Sequence, residues 1–214
     1  MTIRNAATMG SYGAAWEYQG YFGSGNVEGL LGSIQGRTAL ICGNAAGVFE
    51  EYDRVITDDM VVFGCNDAGM YIPRVDHMVS LHSPELQIWC QSRKRSSERR
   101  MKDMKSHTIR DTPEIDYHWD GLTPVFSLSG YFAMQIAYLM GVARIILCGC
   151  PGSYVPRFFE TKPRKDNFGY GTGTKHSDSG VMTQLTNEMA RFPEFKAKVR
   201  SMSGWTREFF GPHD

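Results

Sequence analysis

Short apolar runs that stop on glycine, asparagine or histidine constrain this chain more than any other feature. Segments 38–44, 60–66 and 144–149 each hold four consecutive apolar residues, and 77–82 holds Met78, Val79 and Leu81. A strand that is apolar on both faces needs cover on both faces, as in a parallel sheet sandwiched between helices. Helical segments fall between the runs. One is expected at about 84–105, with Pro84 in its first turn. A second, 130–140, sets Phe132, Ile136 and Leu139 with Ala133 and Ala137 on one side and stops at Gly141. Helix returns at about 180–191, and 198–202 reads as a last strand. The alternation predicts an α/β fold: a doubly wound, mostly parallel Rossmann-like sheet.

Composition narrows the function classes. The chain has 214 residues, which suits one domain with a cover segment to spare. Lys plus Arg and Asp plus Glu number 23 each. A chain of zero net charge is a poor whole-surface partner for nucleic acid or an anionic membrane. The basic run Arg93, Lys94, Arg95, Arg99, Arg100, Lys102 and Lys105 is interrupted by Ser96, Ser97, Glu98 and Asp103. Helical spacing spreads it around a cylinder, so a solvated helix face is expected there. The five cysteines (Cys42, Cys65, Cys90, Cys148 and Cys150) form no CxxC pair, and four of them sit in or at the end of apolar runs. They read as reduced core thiols, and neither a disulfide framework nor a zinc site is expected. No apolar stretch approaches the ~20 residues of a membrane span. With no signal-peptide pattern visible, a cytoplasmic location is expected.

Two segments stand apart. Residues 1–36 carry eight glycines and the aromatics Tyr12, Trp16, Tyr18, Tyr21 and Phe22 without helical or strand period. They are expected to form an irregular arm, held by its aromatics against another chain, so that the protein is an oligomer or part of a larger assembly. Residues 37–214 then form the nucleotide-binding domain. Within it, 151–178 is rich in Gly, Pro, Lys and Arg and reads as a lid loop.

In a parallel sheet, ligands bind at the C-terminal ends of the strands. Three such ends are Gly43-Asn44, Cys65-Asn66-Asp67 and Gly149-Cys150. An asparagine there offers a ligand both a donor and an acceptor, or it caps a turn or helix; both roles stay open. The small-residue loop from Gly43 to Gly47 offers backbone N–H groups to a phosphate or ribose, although it is neither a GxGxxG nor a P-loop. Ser129-Gly130 opens the clearest helix, and Ser129 either caps it or turns its hydroxyl to an anion. His176 lies before a helix, where it is either a general base or a solvated loop histidine. His82 ends a strand beside Ser83, where it either meets a ligand or serves structure alone.

Taken in order, Ile41-Cys-Gly-Asn44, Phe63-Gly-Cys-Asn66, Leu128-Ser-Gly130, Ile145-Ile-Leu-Cys-Gly149, Phe159-Glu-Thr-Lys162 and Lys175-His-Ser177 resemble the bacterial sialyltransferases of glycosyltransferase family 42. They are also similar to Rossmann-like domains of the 6-hydroxymethylpterin diphosphokinase type. The resemblance covers roughly 38–203. It implies a metal-independent, inverting transfer from a nucleotide sugar, with a CMP-sugar as donor substrate, no cofactor and a hydroxyl acceptor. By the same resemblance Gly43, Asn44 and Asn66 contact the nucleotide, Ser129 and Gly130 hold it at the helix end, and Tyr154 stands at a phosphate-binding tyrosine. His176 is implied as the base that deprotonates the acceptor.

The chain departs from that pattern. Gly-Asn-Gly-Pro-Ser of the family stands here as Gly43-Asn44-Ala45-Ala46-Gly47, and Gly-Ile-Asp as Gly149-Cys150-Pro151. Two functional classes follow: a nucleotide-sugar-dependent glycosyltransferase, or a non-catalytic transferase-like module used as an assembly or virion decoration subunit. Diphosphotransfer to a pterin is the weaker third, because Asp67, with Asp76 nearby, is the single acid at a strand end suited to a metal.

Overall fold

The computed structural model describes residues 27–95, 103–119, 122, 128–152, 155, 157–159 and 175–213. The chain alternates strand and helix through β1 (Thr38–Cys42), α1 (Val48–Val55), β2 (Val61–Cys65), α2 (Ala68–Tyr71), β3 (His77–Val79) and α3 (Ser83–Arg95). It continues with β4 (Lys105–Thr108), β5 (Tyr117–His118), α4 (Ser129–Leu139), β6 (Arg144–Cys148), α5 (Lys175–Arg191), α6 (Pro193–Lys198), β7 (Val199–Ser201) and α7 (Gly204–Phe210).

The seven strands form one parallel sheet in the order β5-β4-β3-β2-β1-β6-β7. This is the expected doubly wound, Rossmann-like architecture. After β1 the chain steps outward one way to β5, then returns to the other side of β1 for β6 and β7. The order therefore reverses between β1 and β6. Alternate strand residues feed two cores. Ala39, Ile41, Phe63, Ile145 and Leu147 pack with α4, α5 and α6 on one face. Leu40, Cys42, Val62, Ile146 and Cys148 pack with α1, α2 and α3 on the other. Both faces are covered, which is why these strands read as unbroken apolar runs.

The expected one-sided helix at 130–140 is buried all round instead: Tyr131, Met134, Gln135 and Tyr138 are as inaccessible as Phe132 and Ile136. The cause is a second layer. Phe195 of α6 packs on Tyr131 and Tyr138, and Val27 and Leu30 join the same core. The domain thus reaches back to Val27. A 3-10 turn at Val27–Leu30 and the turns after it dock on the end of α4, with Gly32 N–H donating to Leu139 O and Gly36 N–H to Gly141 O. The arm's five aromatics lie outside the described residues.

Three further features differ from expectation. The helix at 84–105 gives way to strand by Lys105, where β4 begins. Its basic run is not wholly solvated: Arg93 is 1% exposed and donates to the carbonyls of Gly69, Ile72 and Pro73, which end α2. A buried guanidinium persists there because carbonyl acceptors meet it. The last long helix starts at Lys175 rather than 180, so the lid expected at 151–178 yields its final residues to α5. Residues 160–174 of that lid lie outside the described residues.

β4 and β5 escaped sequence reading because their buried side chains are polar. Trp119 Nε1 donates to His107 Nδ1 at 3.2 Å, and His107 Nε2 faces His77 Nδ1 at 2.8 Å. With its Nδ1 accepting, His107 carries its proton on Nε2 and passes the hydrogen bond on to His77. Phe63 and Tyr117 stack on the two imidazoles. Burial pushes the His77 pKa down to about 3 and that of His107 well below its ordinary range, so both rings are neutral.

Candidate functional site

All strands being parallel, every strand C-terminus lies on one edge of the sheet, and β1 and β6 diverge there. Two close contacts shape this switch point. A Cβ on Gly43 would sit 2.5 Å from Gly149 O and 2.6 Å from Cys150 Sγ. Gly149 takes φ +62°, a conformation open to glycine, and its N–H donates to Glu51 Oε2 at 2.7 Å. Cys150 is half-buried beside Gly130, and burial pushes its thiol up to about 12. All five cysteines are free thiols, and the other four are buried, as expected of core residues.

The loop from Gly43 to Gly47 is largely occupied with its own domain. Gly43 N–H donates to Cys148 O, Ala45 N–H to Gly149 O and Val48 N–H to Ala45 O. The first turn of α1 carries Glu50 and Glu51, which offset the positive end of that helix. An anion meets a different situation at α4. That eleven-residue helix has no acid in its first turn and starts at the centre of the same edge.

Each candidate residue has a defined place. Asn44 Nδ2 donates to Asp67 Oδ2 at 3.1 Å, and its Oδ1 accepts Ala68 N–H at 2.8 Å, so the end of β1 caps α2 after β2. Asn66 has φ +51°, one of two non-glycine residues with positive φ among those described. Its Oδ1 accepts the Ser80 hydroxyl at 2.7 Å, and Ser80 Oγ in turn accepts His82 N–H. Ser129 does not cap α4 with its side chain. Leu128 stands at the cap, and Ser129 Oγ accepts Leu81 N–H at 3.3 Å across from β3. The Cys65 thiol points at Ser129 O, 3.8 Å away. Asn44, Asn66 and Ser129 thus lie on one edge of the sheet, each held by a different partner, and Gly43 and Gly130 both approach Cys150.

Two candidates have no described side chain. Tyr154 lies outside the described residues. His176 lies in the first turn of α5, and its side chain is not among those described. Leu185 and Met189 anchor α5 in the core. Leu185 follows His176 by nine positions, roughly 13 Å along a helix axis.

The structure adds residues that sequence reading did not assign. Ser80 orients Asn66, and Glu51 holds Gly149. Arg157 comes within 4.0 Å of Asp67 Oδ2 while bridging backbone to Ala45. Phe158 follows it, donating its N–H to Asn44 O and packing edge-on against Phe49 and Tyr71. Strand register and a loop crossing create these contacts, and neither leaves a local motif. Among the described residues no group of three or more His, Cys, Asp or Glu is arranged to hold a metal, and no helix is long and apolar enough to cross a membrane.

No protein-family model matches this chain, and no curated protein matches it. Among solved structures it is similar to the sialyltransferase CstII from Campylobacter jejuni, determined in complex with a substrate analogue, cytidine-5'-monophosphate. The two are 16% identical with a TM-score of 0.51, over 84% of this chain and 86% of the other. The likeness is one of fold: this chain has a sialyltransferase-like fold. A relation to the pterin diphosphokinase type is not shown by these comparisons.

Proposed function

We propose that the chain is a nucleotide-sugar-dependent glycosyltransferase that binds a CMP-linked donor at the β1–β6 switch point. One observation carries the reading: Asn44, Asn66, Ser129 and Gly130 converge on the C-terminal edge of a sheet whose fold is shared with a sialyltransferase solved with CMP. The donor phosphate is assigned to the N-terminus of α4, which carries no acid in its first turn, whereas Glu50 and Glu51 disfavour an anion at α1. Asn66 offers its Nδ2 group to the nucleotide while Ser80 holds its Oδ1. Tyr154 is assigned to the leaving phosphate.

The reaction follows from these roles without a metal. His176 accepts the proton of an acceptor hydroxyl, the oxygen attacks the anomeric carbon from the face opposite the nucleotide, and the CMP phosphate leaves with the bonding electrons. Backbone N–H groups at α4 stabilise the charge on the departing phosphate. A thermal-shift panel of nucleoside mono- and diphosphates tests the proposal. CMP at 100 times its dissociation constant is expected to stabilise the fold by about 2.7 kcal/mol. No shift with any nucleotide overturns it.

One observation favours the non-catalytic module: both ends of the Asn44 amide are committed to Asp67 and Ala68, which makes that residue a structural brace. CMP binding without sugar transfer to any acceptor supports that second reading.

A further inference from the structure

A polar cleft opens on the same edge, one strand further out. It has a volume of about 530 Å3 and lies between the start of α3 and the loop joining β4 to β5. Its walls are clamped together. Ser83 Oγ and Thr108 Oγ1 are 2.7 Å apart at the base, and Gln91 Nε2 donates to Glu114 Oε2 at 3.0 Å further along. Glu114, at φ +64°, is the other described non-glycine residue with positive φ.

The lining is mixed in a specific way. His82, Glu85, Arg110 and Asp111 supply charged and polar groups, while Pro84 and Ile109 supply flat apolar surface. Behind Asp111 stands His118, only 7% exposed. Its Nε2 is held by the backbone of Thr112, 3.1 Å from the N and 3.2 Å from the O. Its Nδ1 has no hydrogen-bond partner among the described residues and points toward Asp111 Oδ1, 3.5 Å away. The Asp111 side chain is 80% exposed, so a buried imidazole backs a carboxylate that solvent reaches.

We propose that this cleft binds a carbohydrate and is the acceptor subsite of the transferase. The assignment rests on the function proposed above. Two acids against one arginine disfavour an anion. Carboxylates and an imidazole suit hydroxyl groups, which donate and accept, and apolar walls suit the C–H faces of a sugar ring. Position agrees: Leu81, which lines the cleft, donates its N–H to Ser129 at the donor site. An acceptor seated here lies next to the donor.

The probe is a printed array of neutral and acidic oligosaccharides, read with the full chain. Binding to at least one neutral oligosaccharide is expected. Asp111→Asn or Glu85→Gln on the opposite wall is expected to weaken it at least tenfold, while the CMP-induced thermal shift stays unchanged. An array with no bound oligosaccharide overturns the proposal, as does binding that survives both substitutions. The two readings fail separately. CMP binding with a silent array sinks the subsite alone, whereas array binding lost in D111N without any nucleotide shift sinks the transferase reading and leaves a carbohydrate site.

Discussion

Glu51 and Gly149 meet across the switch point, carboxylate to backbone N–H at 2.7 Å, and join the first turn of α1 to the end of β6. The bond forms only because Gly149 turns back at φ +62°. A Cβ at Gly149 would lie 2.6 Å from the Val48 Cβ and 2.8 Å from Gly43 O. Gly149→Ala is therefore expected to destabilise the domain by more than about 1–2 kcal/mol, through both strain and overlap. Urea unfolding of the variant against the parent chain measures this, and equal midpoints would refute it.

Asn66 can be replaced without backbone strain, although the buried Ser80 hydroxyl then loses its acceptor. Glycine accepts φ +51° without strain, so Asn66→Gly keeps the backbone and removes only the amide. CMP affinity is expected to fall by about 1–3 kcal/mol, since a buried polar partner is left unpaired. Calorimetric titration reads the loss, and a melting temperature near that of the parent excludes unfolding as its source. Asn66→Ala adds strain and is expected to lower both.

His176 is tested by turnover. As the base, its replacement by alanine is expected to cut the rate by roughly 10²–10⁴ and leave donor affinity unchanged. A variant that turns over as fast as the parent returns His176 to the surface of α5.

The His77–His107 pair sets an acid limit on stability. Both imidazoles are held neutral by burial, His77 with a pKa of about 3, whereas each protonates near 6.5 in the unfolded chain. Stability from these groups is complete above about pH 6.5 and is lost as pH falls toward 3, at about 1.4 kcal/mol per pH unit for each histidine. Urea midpoints at pH 7 and pH 5 measure the slope. His77→Phe, which retains an aromatic ring against Phe63, is expected to flatten it by one proton's worth.

Truncation separates the arm from the domain. Removing residues 1–26 is expected to leave a folded domain and to abolish the association assigned to the arm, as read by sedimentation. Removing 1–36 also strips Val27 and Leu30 from the core, a loss of about 1.5–3 kcal/mol for each side chain. A full chain that sediments as a monomer contradicts the role given to the arm.

The central strands were legible because β1, β2 and β6 are buried on both faces and their apolar runs admit little else. The ends of those strands were legible too, since Gly43-Asn44 and Asn66 interrupt the runs where the edge begins. β4 and β5 were not. Lys105–Thr108 has no apolar pattern, and its buried His107 is tolerated only because Trp119 and His77 satisfy both ring nitrogens. The partners of Asn44 and Asn66 were hidden for a related reason. Asp67, Ala68 and Ser80 come near them through strand register, which no single segment encodes.

The strand order also governs how the chain is made. β1 lies in the middle of the sheet, and its Thr38 pairs with Arg144, about a hundred residues later. During synthesis at about 5–20 residues per second, one side of β1 stays without its neighbour for roughly 5–20 s. β2 through β5 can assemble on the other side in that interval, but the unmated flank of an apolar strand remains open to any passing chain. Slow translation before residue 144 or crowding of nascent chains lengthens the exposure.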